Sequence, residues 1–272
     1  MIRIKNLSYS YGQNQVLKEV SSTIEAGILC GLFGPNGSGK TTLFRCCLGL
    51  LSTPPDTIWL DGKDISTFRV RDLARRAAYV PQEHRVPFPF KVKEVVMMGR
   101  TPRLSAGEIF RISEEHKRAT VEALEILEIV DLADSLYDHL SGGQRQLVLI
   151  ARAIAQQTSI LFLDEPTSAL DFDNQIKIWR ALRSLAKQGV TILACSHDPN
   201  HVAWFCDRVI MLGKGQVVAD GHPRISVTET TLKKVYREKC RVKRIDGFPV
   251  VVPEQIDSAT ISSPFEIEAG AR

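Results

Sequence analysis

The sequence predicts an α/β fold, a mostly parallel sheet covered by helices, with a helical subdomain inserted mid-chain. Three observations carry this. Short apolar strand-like runs alternate with amphipathic helical patterns, the order that parallel sheets require. One such run leads through Gly34-Pro35-Asn36-Gly37-Ser38-Gly39-Lys40-Thr41 into a helix starting at Thr42, the setting of a phosphate loop in a P-loop NTPase. The middle of the chain turns helical from about 112 to 133 and again after Ser141.

Taken in order, Ile2 and Ile4 alternate, Tyr9 and Tyr11 follow, and Gly12 breaks the run. Residues 1–33 therefore read as short strands, ending in a compact apolar strand over 28–33. Residues 57–60 run into Asp61-Gly62, a hairpin-type turn. Pro87, Pro89 and Pro102 make 84–104 read as irregular. The helix over 112–133 places Val121, Leu124, Ile126, Leu127 and Val130 near one face. The next helix turns Leu147, Ile150, Ala151 and Ile154 inward. A buried strand over 160–163 precedes a helix over 173–188, which carries Ile178, Trp179, Leu182 and Leu185 and stops at Gly189. Residues 190–194 are again a strand, and 209–219 read as a β-hairpin turning at Gly213-Lys214-Gly215. Beyond about 225 the pattern changes: a helix over 231–238, a short strand over 248–252, and a polar end, 254–272, expected to be disordered or loosely docked.

Composition narrows the class of protein. The 272 residues are 44% hydrophobic and 24% charged, with 18 Gly and 13 Pro, which excludes collagen, a disulfide scaffold and wholesale disorder. A net charge of +4 is too small to indicate nucleic acid, and no nucleic-acid partner is expected. No apolar run approaches the ~18 residues a membrane span needs, and the N-terminus has no signal-peptide core, so any membrane role is expected to be peripheral. The six cysteines form no C-x-x-C pair and read as reduced thiols of a cytosolic protein.

The chemistry sits in a few short motifs. A polyphosphate must be wrapped closely by backbone, and Gly34, Gly37 and Gly39 permit that approach. The loop and helix N–H groups of residues 34–42 point at phosphate oxygens, Lys40 can reach the β- and γ-phosphates, and the Thr41 hydroxyl can ligate magnesium. The apolar strand at 160–163 ends in Asp164-Glu165. Asp164 suits a magnesium site and Glu165, one residue on, suits a general base; taken alone, an acidic strand exit explains the pair equally well. Leu140-Ser141-Gly142-Gly143-Gln144 opens a helix with a good N-cap and two glycines. Local physics fits a second anion site or a plain capped helix start about equally. Two phosphate-binding helix starts in one chain suggest a nucleotide held between two copies.

In this order the motifs resemble the ATP-binding subunit of an ABC transporter, over about residues 1–222. The phosphate loop is followed by Val80-Pro81-Gln82, the signature 140–144, the acidic strand, Ser168-Ala169-Leu170-Asp171, and His197 after a strand. The resemblance implies an ABC ATPase fold over 1–225. Its parts would be a mixed core sheet, an N-terminal antiparallel β subdomain and a helical insert at about 86–157, with 226–272 as an extension. It implies ATP and Mg2+ as cofactors and a dimer of two copies. Tyr11 would stack on adenine. Gln82 would touch magnesium and the attacking water. Ser141, Gly142, Gly143 and Gln144 would meet the ATP of the other copy, Asp171 would communicate across the dimer, and His197 would position the water.

The stretch from Pro87 to Arg100, together with 170–175 and 196–201, is similar to subunits of type II metal-chelate importers. That implies work at the cytoplasmic face of the inner membrane, with two transmembrane permease subunits and, indirectly, an extracytoplasmic binding protein. Phe88, Phe90, Met97, Met98 and Arg100 would form the permease-coupling surface. A ferric siderophore is the expected cargo, with haem, cobalamin or molybdate behind it. The competing readings are a soluble ABC ATPase and an exporter subunit. The insert is too short for the coiled coil of repair members, one cassette is present rather than two, and no membrane span is fused to it.

Overall fold

A computed structural model describes residues 1–82, 89–105, 112–168, 170–236 and 240–254. In chain order the elements are β1 (Ile2–Tyr11), β2 (Asn14–Ile24), β3 (Leu29–Phe33), α1 (Lys40–Cys47), β4 (Ile58–Leu60), β5 (Lys63–Asp64), α2 (Val70–Ala74), β6 (Ala77–Val80), α3 (Val92–Met97), α4 (Glu114–Ile126) and α5 (Gly142–Ala155). There follow β7 (Ile160–Leu163), α6 (Phe172–Lys187), β8 (Thr191–Ser196), α7 (Pro199–Phe205), β9 (Arg208–Gly213), β10 (Gln216–Gly221), α8 (Pro223–Ser226), α9 (Glu229–Val235), β11 (Cys240–Ile245) and β12 (Phe248–Pro253).

The core sheet runs β10-β9-β3-β8-β7-β6 and the second sheet β2-β1-β4-β5. In the core sheet β9, β3, β8, β7 and β6 are mutually parallel and only β10 is antiparallel. The four strands of the second sheet are antiparallel throughout. The fold is the expected α/β class, mixed core sheet and antiparallel β subdomain included.

Continuous apolar strands follow from burial on both faces. Leu29 and Phe33 of β3 face the helical side, as do Leu161 and Leu163 of β7. The alternate residues Cys30, Leu32, Ile160 and Phe162 face α1 and the second sheet. Phe44 of α1 meets Phe162 edge-on, their ring centroids 5.3 Å apart. The thiols of Cys30, Cys46, Cys47, Cys195 and Cys206 are free and buried. No helix among the described residues is long and apolar enough to cross a membrane.

Two local expectations are corrected. Residues 84–104 are not irregular throughout: α3 and a 3-10 stretch, Met98–Arg103, occupy their second half. Val92, Val95 and Val96 bury one face of α3, and the Glu94 carboxylate accepts the Lys91 N–H at 2.8 Å. Pro102 lies within the 3-10 stretch, and residues 84–88 of the expected irregular segment lie outside the described residues. The buried face of α4 is carried by His116, Ala119, Thr120, Ala123 and Leu124, whereas Val121, Ile126 and Val130 are exposed. Small residues let α4 approach α5, so close packing overrides the larger apolar side chains.

The expected helix end at Gly189 holds, with φ +99° just past α6. The chain beyond 225 forms α9 and the hairpin β11–β12, with Cys240 paired to Pro253 and Ile245 to Phe248. The polar end read from the sequence lies outside the described residues from 255 onward.

Candidate nucleotide site

Strand order builds the site. The strands β3, β8, β7 and β6 are parallel neighbours, so the residues that leave their C-terminal ends lie side by side. Those residues are Gly34, His197, Asp164-Glu165 and Gln82. Ligands of open α/β sheets bind at that edge.

The phosphate loop requires its glycines at two positions. A Cβ on Gly34 would lie 2.2 Å from the Leu212 carbonyl oxygen. Gly39 has φ +104°, and a Cβ there would meet Leu17 Cδ2 at 2.7 Å. Gly39 also precedes α1 as its N-cap without a capping side chain, so the first N–H groups of the helix stay open to an anion. The Lys40 ammonium is buried and donates to the carbonyls of Gly34 at 2.8 Å and Pro35 at 3.1 Å. The Ser38 hydroxyl is buried with no partner.

Two oxygen groups that could hold a metal lie beside it. Thr41 Oγ1 donates to Asp164 Oδ2 at 2.9 Å, and Asp164 Oδ1 is buried without a partner. A hydroxyl and a half-satisfied buried carboxylate next to a phosphate loop fit Mg2+, which usually takes one or two protein ligands and completes its shell with phosphate and water. Among the described residues there is no cluster of three acidic, His or Cys ligands. Burial, helped by the nearby Asp164 charge, pushes the Tyr79 phenol up to about 12 and the Cys195 thiol well above its ordinary range. Both stay neutral beside the carboxylate.

Glu165 faces a different direction. Its Oε2 accepts from Gln82 Nε2 at 2.7 Å and its Oε1 pairs with His197 Nε2. Its backbone is left-handed, φ +54°, a strained conformation for a side chain without a local hydrogen-bonding reason. Gln82 and His197 are exposed and Glu165 is buried. The arrangement is a buried carboxylate gripped by two exposed polar groups.

The other expected residues lie elsewhere. Ser141 caps α5: its hydroxyl accepts the Gln144 N–H at 3.2 Å while the Gln144 side chain accepts the Ser141 N–H at 3.0 Å. A Cβ on Gly142 would meet nothing within 4 Å. Among the described residues no hydrogen bond joins 141–144 to the phosphate loop. Asp171 is the N-cap of α6, accepting from the Asn174 N–H at 2.9 Å. Tyr11 is exposed at the end of β1, edge-on to Tyr9.

Of the expected coupling surface, Phe88 lies outside the described residues. Phe90 and Met97 are half-buried, and Met98 is exposed. Arg100 is not on that surface. It is fully buried and donates to the Ala155 carbonyl and Gln157 at 2.8 Å, to His116 Nδ1 at 3.0 Å and to Glu115 at 3.2 Å. It ties the 3-10 stretch to α4 and to the end of α5. The sequence reading also missed exposed Leu50 and Val70. They flank an apolar groove of about 540 Å3, lined in addition by Leu48, Leu51, Phe68 and Leu73.

Such a loop, its neighbouring hydroxyl and carboxylate, and the gripped Glu165 lie on one sheet edge, as a P-loop ATPase site needs, and comparison with known proteins places the chain in a family. The ABC transporter family model matches residues 17–168. The chain is 34% identical to the ferric enterobactin transport ATP-binding protein FepC of Escherichia coli, over 93% of each chain. It is also 34% identical to the hemin import ATP-binding protein HmuV of Rhodococcus jostii, over 97% of this chain and 86% of that one. Among solved structures it matches a chain described as a metal-chelate type ABC transporter in an inward-facing conformation (TM-score 0.79, 29% identity, 94% of this chain and 98% of that one). It likewise matches a dimeric ATP-binding cassette in a post-hydrolysis state with ADP and phosphate (TM-score 0.71, 28% identity, 82% and 99%). The chain belongs to the ABC transporter family, as an ATP-binding subunit and ATPase.

Proposed function

We propose that this subunit hydrolyses ATP to drive import of a metal chelate, a ferric siderophore first and haem second, through a membrane permease. Cobalamin and molybdate stand further behind. The observation that carries the hydrolytic part is the buried Glu165 carboxylate held between Gln82 and His197, beside a phosphate loop. The import part is supported by the named relatives.

In this reading the N–H groups of residues 34–42, the Ser38 hydroxyl and the remaining Lys40 proton receive the phosphates. Thr41 and Asp164 would hold Mg2+, which would supply positive charge to offset that of the phosphates. Each Glu165 oxygen keeps a lone pair beyond its present bond, and one of them takes a proton from a water that Gln82 and His197 orient, as that O–H bond breaks. The water oxygen bonds to the γ-phosphorus, the bond to the bridging oxygen breaks, and ADP leaves with that electron pair. Loop N–H groups and Lys40 offset the charge that develops; in phosphoryl transfer such electrostatic stabilisation and positioning supply most of the rate gain. Tyr11 stacks on the adenine.

Residues 141–144 make no hydrogen bond to this chain's own phosphate loop and serve the site of a second copy, with Asp171 near the contact. Two permease subunits dock on each dimer at the inner face of the membrane, through Met98 and the groove flanked by Leu50 and Val70. An extracytoplasmic binding protein delivers the chelate to the permease. Purifying the tagged chain from native membranes in mild detergent tests this. A co-purifying polytopic permease, in an operon or complex with a chelate-binding protein, is expected. Reproducible recovery with soluble partners alone sinks the importer reading and favours a soluble ABC ATPase.

A further inference from the structure

The hairpin β11–β12 is attached three residues from His197. Asn200, the second residue of α7, engages both backbone groups of Val251 in β12: its Oδ1 accepts the Val251 N–H at 2.8 Å and its Nδ2 donates to the Val251 carbonyl at 3.3 Å. The side-chain amide thus behaves as a strand neighbour on the outer edge of β12. The hairpin is secured independently of this pair. Glu229 accepts the Val242 N–H at 3.1 Å, and the Arg224 guanidinium lies 5.0 Å from the Phe248 ring centroid.

The other side of α7 is equally constrained. Gly31 of β3 leaves room for Val202, whose Cγ1 would lie 2.3 Å from a Cβ there. Phe205 stacks on Trp179 of α6, with an interplanar angle of 11°. The helix is therefore held between the core and the hairpin, and its first residue, Pro199, comes two residues after His197. Bonds flank that histidine on both sides: Ser196 Oγ accepts the Asp198 N–H at 3.1 Å, and Asp198 Oδ1 accepts the Asn200 N–H at 2.8 Å. His197 itself is 41% exposed and is paired with Glu165.

We propose that the C-terminal hairpin is a brace for the catalytic loop, with Asn200 as a positioning residue that holds His197 against Glu165. This rests on the role given to His197 above. A displacement of about 1 Å in a reacting group can cost about 100-fold in rate, and loss of the brace allows a smaller shift. The full chain serves for the test, by steady-state ATP turnover, ADP affinity by calorimetry and thermal melting. His197→Ala should lose turnover by more than about 100-fold. Asn200→Ala should lower kcat about 10-fold, with KM for ATP and ADP affinity within about twofold of wild type. Asn200→Asp keeps the acceptor for the Val251 N–H but sets a carboxylate oxygen against the Val251 carbonyl, and should recover part of that loss.

An Asn200→Ala protein that turns over like wild type while His197→Ala is inactive overturns the brace and leaves the His197 reading standing. So does a loss of turnover that merely tracks the folded fraction and is no smaller for Asn200→Asp, because that marks a purely structural contact. A His197→Ala protein with full turnover overturns the His197 reading itself, and the brace with it.

Discussion

Replacing Glu165 by Gln leaves a side chain of the same shape that can still bond to Gln82 but cannot take a proton. ATP turnover should fall by at least about 100-fold while ATP binding persists, as read by steady-state hydrolysis and calorimetric titration. Unchanged turnover would remove Glu165 as the base. Arg100 makes the opposite kind of prediction. Arg100→Met removes the donor to the Ala155 carbonyl and the bonds to Gln157 and His116 that tie this segment to α4 and α5. It should cost about 2–3 kcal/mol and lower the melting temperature by several degrees, and the ATP site of the folded fraction should work normally. The two residues also show what a sequence discloses. The phosphate loop, Asp164 and Glu165 were legible because their chemistry is local: glycine spacing and a strand end define them. Arg100 was not, because its partners at 116, 155 and 157 are brought together only by the packing of α4 and α5.

At the scale of elements, Asp171 separates two readings. As the N-cap of α6 it is worth about 1 kcal/mol, so Asp171→Ala should reduce stability by that amount in a denaturant titration. If Asp171 also works across the dimer, the variant should lose cooperativity in ATP concentration beyond what destabilisation explains; Asp171→Ser, which still caps, should lose cooperativity alone. The strands and most helices were readable from period and length, as β7, α6 and the hairpin β9–β10 show. Two elements were not. Prolines at 87, 89 and 102 masked α3, whose apolar residues at 92, 95 and 96 have helical spacing. The face of α4 was assigned only in part: Leu124 and Leu127 are buried as expected, but Ala119 and Ala123 bury by closeness, not bulk, and displace Val121, Ile126 and Val130 from that face.

For the whole molecule, the buried thiols set an alkaline limit. Burial raises the Cys46 thiol to about 11 and raises Cys47 and Cys206 further. A group that holds its proton more tightly when folded contributes stability fully below its unfolded pKa and loses it as pH climbs to the folded value. Urea midpoints should therefore be flat near neutrality and fall between about pH 9 and 11, and a Cys46→Ala, Cys47→Ala protein should show a smaller fall. Assembly is the second expectation at this scale. With ATP and Mg2+, the Glu165→Gln protein should double its mass in light scattering, and a monomer under those conditions would contradict the shared site.

The left-handed backbone at Glu165 has a consequence for how this protein can change. A non-glycine residue held there costs on the order of 1–3 kcal/mol, a burden that Asn or Gly would lighten. Their shorter side chains could not reach Gln82 and His197 together. A screen of variants at this position for heat tolerance alone should therefore enrich Gly and Asn and deplete Glu. The sturdiest descendants would be those that no longer consume ATP, so durability and work are opposed at one peptide unit.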